Sequence, residues 1–159
     1  MSTTESRDAL QGSGHGSVGG AEQQTAREAV RVLVYSDDVT TRERIRLALG
    51  RRPAPDLPRI DVLECATGHA VIEAVDRGGI DLLILDGEAA PTGGMGISKQ
   101  LKDEIYNCPP VLLVIGRKDD AWLAAWSRAE GVVAHPIDGV TLAPVAADLL
   151  RRRLADSSS

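Results

Sequence analysis

Residues 81–86 read Asp-Leu-Leu-Ile-Leu-Asp, four consecutive aliphatic side chains closed at each end by a carboxylate. Such a run has no polar face to offer solvent, so it predicts a short strand buried on both sides, as in a parallel sheet covered by helices. Working outward, similar aliphatic runs recur at 32–35, 60–63, 111–115 and 132–134. Each of the five is followed by a stretch of helical periodicity: 40–49, 69–77, 96–107, 119–129 and 142–154. In the first of these, Ile45, Ala48 and Leu49 form one stripe, while Arg42, Glu43, Arg44 and Arg46 occupy the remaining surface. Punctuation agrees with these boundaries. Pro53, Pro55 and Pro58 break the first connection, Gly78 and Gly79 end the second helix, and Pro109 and Pro110 end the third. Pro144 falls in the first turn of the last helix if Thr141 is its N-cap.

Strict alternation of strand and helix implies an α/β fold, a doubly wound, five-stranded parallel sheet of the flavodoxin-like order 2-1-3-4-5. The functional surface of such a sheet lies at the carboxyl ends of the strands. The folded domain is expected over 31–154. Residues 1–30 are rich in Gly, Ser, Gln and Thr and read as a flexible polar tail, with 155–159 a polar fringe.

The chain's 159 residues, 43% hydrophobic and 26% charged, suit one domain plus spare length. A net charge of -5 disfavours generic attraction to nucleic acid or to an anionic bilayer. The aliphatic runs are far shorter than the roughly 18 residues of a membrane helix, so no direct membrane insertion is expected. Two cysteines, Cys65 and Cys108, in a chain without a secretory start exclude a disulfide scaffold and a zinc framework, and point to the cytoplasm. With no Phe and 3% aromatic residues, Leu, Val, Ile and Ala must fill the core, and Trp122 and Trp126 require a reason. No Walker loop or GxGxxG follows the first strand, which argues against a nucleotide site.

At the carboxyl ends, Ser36, Asp37 and Asp38 follow the first strand and Asp86 ends the third. With VLVYSDD at the first turn, LLILD at the third strand, PPVLLVIG at the fourth and GVVAHP at the fifth, residues 31–154 resemble the receiver domain of two-component response regulators. The resemblance implies that Asp86 is the phosphoacceptor position. It also implies a magnesium site built from Asp37, Asp86, Ser36 and the backbone of Glu88. Departures from the family pattern are concentrated at this site. Ser36 stands where a second acidic ligand is usual, so magnesium would bind weakly, if at all. Ile115 replaces the hydroxyl that bonds the phosphoryl group, His135 replaces the lysine that neutralises it, and Val132 replaces the aromatic switch. An added charge of about -1.5 to -2 would go largely uncompensated. Glu88 adds a further carboxylate in a glycine-rich loop, GEAAPTGGMG. A degenerate receiver without enzymatic activity follows, requiring no cofactor and acting by protein contact. The alternative is a working phosphoacceptor served by a histidine kinase.

Trp122 and Trp126 are one helical turn apart, with Ala129 continuing the stripe; they either pack in the core or flank an Ala121, Ala124, Ala125 face as a partner surface. Arg151, Arg152 and Arg153 read as a solvated helix end that complements the helix dipole. His69 and His15 lack metal-ligand neighbours. The polar tail, YSDDVTTRERIRLALGRRP and the degenerate site together resemble actinobacterial stand-alone receivers associated with respiratory NADH dehydrogenase, complex I. That resemblance implies its peripheral arm as a candidate partner, and so a place on the cytoplasmic side of the membrane.

Overall fold

The computed structural model describes residues 28–157. Most of the expected tail therefore lies outside the described residues. The elements in chain order are β1 (Ala29–Tyr35), α1 (Val39–Leu49), β2 (Arg59–Cys65), α2 (Gly68–Arg77), β3 (Leu82–Asp86), α3 (Gly94–Glu104) and β4 (Val111–Ile115). A single 3-10 turn (Lys118–Asp120) leads to α4 (Trp122–Ser127), β5 (Gly131–Ala134) and α5 (Gly139–Ser157). The strands form one parallel sheet in the order β2-β1-β3-β4-β5, as the alternation predicts.

Alternation along β1 divides the interior. Val30, Val32 and Val34 face α1 and α5 through Ile45, Leu49, Leu142, Ala146 and Leu150. Leu33 and Tyr35 face the other way, onto Val71 of α2 and Ile97 and Leu101 of α3. Each fully buried aliphatic side chain contributes about 1.5–3 kcal/mol, so β3 and β4, buried along their whole length, anchor the domain.

Several boundaries move for identifiable reasons. β1 starts at Ala29, because Ala29 and Val30 pair in register with Arg59 and Ile60. α3 ends at Glu104, well short of the prolines, and the chain then turns through Asn107 at φ 62. The N-cap of α5 is Asp138 rather than Thr141: its carboxylate accepts the Thr141 N–H at 2.9 Å. Pro144 consequently lies beyond the first turn, leaving the carbonyl of exposed Val140 without its intrahelical donor. α5 also runs on to Ser157, past the boundary expected at Leu154.

The expected fourth helix, 119–129, is the least regular element. Only Trp122–Ser127 is α-helical, because Arg128 adopts a left-handed conformation at φ 65 and its N–H turns back to the carbonyls of Ala124 and Ala125. Ala129 therefore does not extend the tryptophan stripe. The side chains turned inward are Leu123, Ala124 and Ser127, whereas Ala121 and Ala125 are exposed.

Candidate functional site

The parallel register carries the ends of β1 and β3 to adjacent positions, Tyr35 opposite Leu85. Ser36 and Asp86 thus meet at the rim of the sheet. The Ser36 hydroxyl donates to Asp86 Oδ2 at 2.7 Å, and the Glu88 N–H donates to Asp86 Oδ1 at 2.9 Å. Ser36 is 0% and Asp86 4% exposed. A buried carboxylate needs donors on both oxygens, and here a neutral hydroxyl and one backbone amide supply them. No cation pairs with Asp86 among the described residues.

Two of the remaining acids at this end, Asp37 and Asp38, accept backbone N–H groups. Asp37 Oδ1 accepts the Ala90 N–H at 3.2 Å, tying the loop after β3 to the loop after β1. Asp38 caps α1, accepting from the Thr40 N–H at 3.0 Å and the Thr41 hydroxyl at 3.1 Å. Glu88 reaches across to β4, where its Oε1 lies 3.1 Å from the position a Gly116 Cβ would take. Its carboxylate therefore rests against Gly116, just past the end of β4.

The positions expected to supply phosphoryl chemistry are apolar or idle. Ile115 is buried in the α2/α3 core, and Val132 packs against the same cluster. His135 is aligned with the end of β4 through its N–H to the Ile115 carbonyl at 2.9 Å, while its imidazole makes no hydrogen bond or ion pair among the described residues. For magnesium, the donor set is two carboxylates already holding N–H or O–H groups, plus a neutral hydroxyl. No group of three His, Cys, Asp or Glu side chains able to hold a metal occurs among the described residues. Magnesium ordinarily takes one or two carboxylates from a protein, so Asp37 and Asp86 match its donor chemistry once their N–H and O–H partners are displaced, while Ser36 adds no charge.

Sequence reasoning missed two residues that shape the site. Tyr35, at the end of β1, donates its phenolic O–H to the Thr92 carbonyl at 2.5 Å. Burial first, then the nearby charges of Asp37 and Asp86, raise its pKa. The available signal was a tyrosine closing an otherwise aliphatic strand in an aromatic-poor chain. Arg42 donates to the Ser36 carbonyl at 2.7 Å and to Glu64 at 2.9 Å, clamping the first turn. Close packing of the loop itself depends on glycine: a Cβ on Gly94 would stand 2.8 Å from the Asp86 carbonyl oxygen and 2.9 Å from Leu85 Cβ.

Away from this end, Trp122 and Trp126 are 67% and 51% exposed. Neither packs in the core. Lys99 of α3 stands 5.8 Å from the centre of the Trp126 ring, and the buried Ser98 hydroxyl donates to the Ser127 carbonyl at 2.8 Å, fixing α4 on α3. The arginine run is engaged more than a solvated helix end requires. Arg151 makes a two-bond contact to Asp56 at 2.8 Å each, Arg152 pairs with Asp148, and Arg153 reaches Asn107. Exposed His69 approaches Glu73 at 3.3 Å; His15 lies outside the described residues. Cys65 is buried and Cys108 half-buried, and burial raises both thiol pKa values. Among the described residues no helix is long and apolar enough to cross a membrane.

No family model matches the chain. It is 62% identical over 123 residues to "uncharacterized response regulatory protein" sequences from two strains of Mycobacterium tuberculosis, an alignment covering 77% of this chain and 92% of each relative. Solved receiver structures share the fold. The signal receiver domain of the response regulator NarL from M. tuberculosis has a TM-score of 0.64 at 22% identity, covering 79% of this chain and 98% of its own. A CheY-like receiver domain from Methylobacillus flagellatus gives 0.62 at 20%, covering 76% and 98% respectively.

Proposed function

The chain belongs to the response regulators and carries their receiver fold, and from that premise we propose that it acts without a phosphoryl switch, as an accessory subunit that regulates a protein partner by contact. The observation that carries this reading is the state of Asp86. Its carboxylate is satisfied inward by the Ser36 hydroxyl and the Glu88 amide, with Ile115 hydrocarbon in place of a hydroxyl donor. A phosphoryl group on Asp86 would break the Ser36 contact and gain neither a cation nor a side-chain donor in return. Glu88 over Gly116 would add like-charge repulsion.

Output then falls to a surface, and α4 supports that role with two exposed indoles on a short helix held by α3. Exposed Trp is a favoured anchor at interfaces. The resemblance to receivers associated with respiratory NADH dehydrogenase makes the peripheral arm of complex I the first partner to examine.

Acetyl phosphate with magnesium, followed by intact-mass measurement, tests the acceptor site. The expected result is no phosphoryl mass on the wild type. Restoring Ser36→Asp, Ile115→Thr and His135→Lys together is expected to bring labelling back. Substantial wild-type labelling that disappears in Asp86→Asn would establish the alternative, a phosphorylatable regulator served by a histidine kinase. Co-purification from membranes tests the client separately, and a protein that never accompanies respiratory complexes removes complex I as the partner.

A further inference from the structure

The loop after β3, residues 87–93, reaches the segments that follow β1, β2 and β4. Its Ala90 N–H bonds the Asp37 carboxylate past the end of β1, and its Thr92 carbonyl accepts the Tyr35 hydroxyl. The Thr92 side chain packs on Gly68, the first residue of α2, where a Cβ would stand 3.5 Å from Thr92 Cβ. On the other side, the Glu88 carboxylate rests against Gly116 after β4. In the sheet order β2-β1-β3-β4 these contacts run across four adjacent strand ends. That rim is where parallel α/β sheets ordinarily receive ligands.

The roots of the loop lie side by side. Gly87 is fixed to β4 by its N–H to the Val114 carbonyl at 2.7 Å, and a Cβ on Gly93 would stand 3.0 Å from the Gly87 carbonyl oxygen. Residues 88–92 therefore leave and re-enter the fold at one point, as in a compact Ω-loop. Within this segment only Ala89 is buried, while Glu88, Ala90, Pro91 and Thr92 are exposed. A segment held by one small buried side chain and a few hydrogen bonds opens at far lower cost than the strands beneath it.

We infer that residues 88–92 form an autoinhibitory strap, which swings away from Asp37, Tyr35 and Gly68 about Gly87 and Gly93 while the domain stays folded, and which when closed keeps Asp86 from solutes. Asp86 sits at the root of the strap. Its Oδ1 holds the Glu88 N–H, its carbonyl holds the Ala89 N–H at 3.3 Å, and its 4% exposure belongs to the closed position. Opening withdraws these donors and lets water reach the carboxylate. The inference rests on the reading of Asp86 as a closed site, but its test needs neither a phosphoryl donor nor a partner on α4.

The full chain is followed by amide exchange, and by carbodiimide coupling of a small amine to its carboxyl groups, located by peptide mass. In the wild type the Ala90 amide is expected to exchange at least about a hundredfold faster than that of Leu83, which bonds the Pro110 carbonyl, and independently of low urea. Tyr35→Phe cuts the Thr92 tether and leaves both carboxylates in place. It should speed Ala90 exchange by about tenfold, the worth of one net hydrogen bond, and raise coupling at Asp86 by a similar factor. Gly93→Ala, whose methyl crowds the Gly87 carbonyl, should act in the same direction, so the result does not hang on how the core accepts a phenylalanine. Ser98→Ala, which loses the Ser127 contact outside the loop, should leave both readings at wild-type values. Ala90 and Leu83 amides that share one rate and one urea dependence would overturn the inference, because the loop would open only with the whole domain. Faster Ala90 exchange in both variants with no gain in coupling at Asp86 would overturn it too, since the loop would move without covering the site. Acetyl phosphate labelling of the wild type, with the exchange and coupling shifts as expected, would overturn the phosphoryl-free reading and leave the strap standing.

Discussion

The rim of β3 and the helix α4 belong to one domain and treat their scarce groups in opposite ways. At the rim, three polar groups are tied back into the fold: the Ser36 hydroxyl onto Asp86, the Asp37 carboxylate onto the Ala90 amide, the Tyr35 hydroxyl onto Thr92. On α4, the only two tryptophans of the chain turn outward. A receiver that switched through its acid pocket would need the reverse, with free ligands at the rim and an aromatic side chain buried beneath the output face. The contrast is the one expected if α4, rather than the acid rim, carries the proposed contact.

Substitutions can break that contrast or sharpen it. The largest effect is expected at Gly94, where any Cβ meets backbone that cannot yield; Gly94→Val should cost about 3 kcal/mol or prevent folding, measured by urea unfolding. Comparable tolerance there and on α4 would break the comparison. Ser36→Ala removes a donor from a buried carboxylate and should cost about 1–3 kcal/mol. Ser36→Asp sets a second carboxylate beside Asp86; it should lower the melting temperature without magnesium and recover part of the loss with it, and an unchanged response to magnesium would contradict the poor donor set. Trp122→Ala and Trp126→Ala should each change folding stability by only about 0.5 kcal/mol, while an anchor role costs about 2 kcal/mol of partner binding. A folding loss of core size at either position would erase the distinction.

The smallest effect concerns Arg151 and Asp56. The guanidinium bonds hold the Asp56 carboxyl down to about 2, against an ordinary 3.8. Because the folded value lies below the unfolded one, the contact stabilises above about pH 4 and its contribution fades as pH falls toward 2. Wild type and Asp56→Asn, compared by urea midpoint, should therefore differ slightly at pH 5 and converge near pH 2. Added salt should shrink the difference, since the pair is exposed.

Most of the fold was legible because burial on both faces leaves a plain mark: LLILD and VLLVI are uniformly aliphatic, and both became fully buried strands. The fourth helix was misjudged because periodicity does not register a single residue entering left-handed conformation, as Arg128 does. At the site, residues could be placed by their strand ends, which brought Ser36 and Asp86 together. What they bond to could not be read that way. Asp37 spends its carboxylate on an amide 53 positions away, and Arg151 finds Asp56 across 95 residues. Such contacts depend on loop paths that no local pattern encodes.

The position of the two indoles also determines how this protein can be watched. With no buried tryptophan, its intrinsic emission starts from water-bathed rings in the native state and ends there after unfolding. Fluorescence melting curves should be nearly featureless, and unfolding is better followed by far-ultraviolet circular dichroism. The same blindness makes the protein a label-free reporter: any partner that covers α4 must dry the indoles and shift their emission to the blue, while a ligand bound elsewhere should leave the spectrum still.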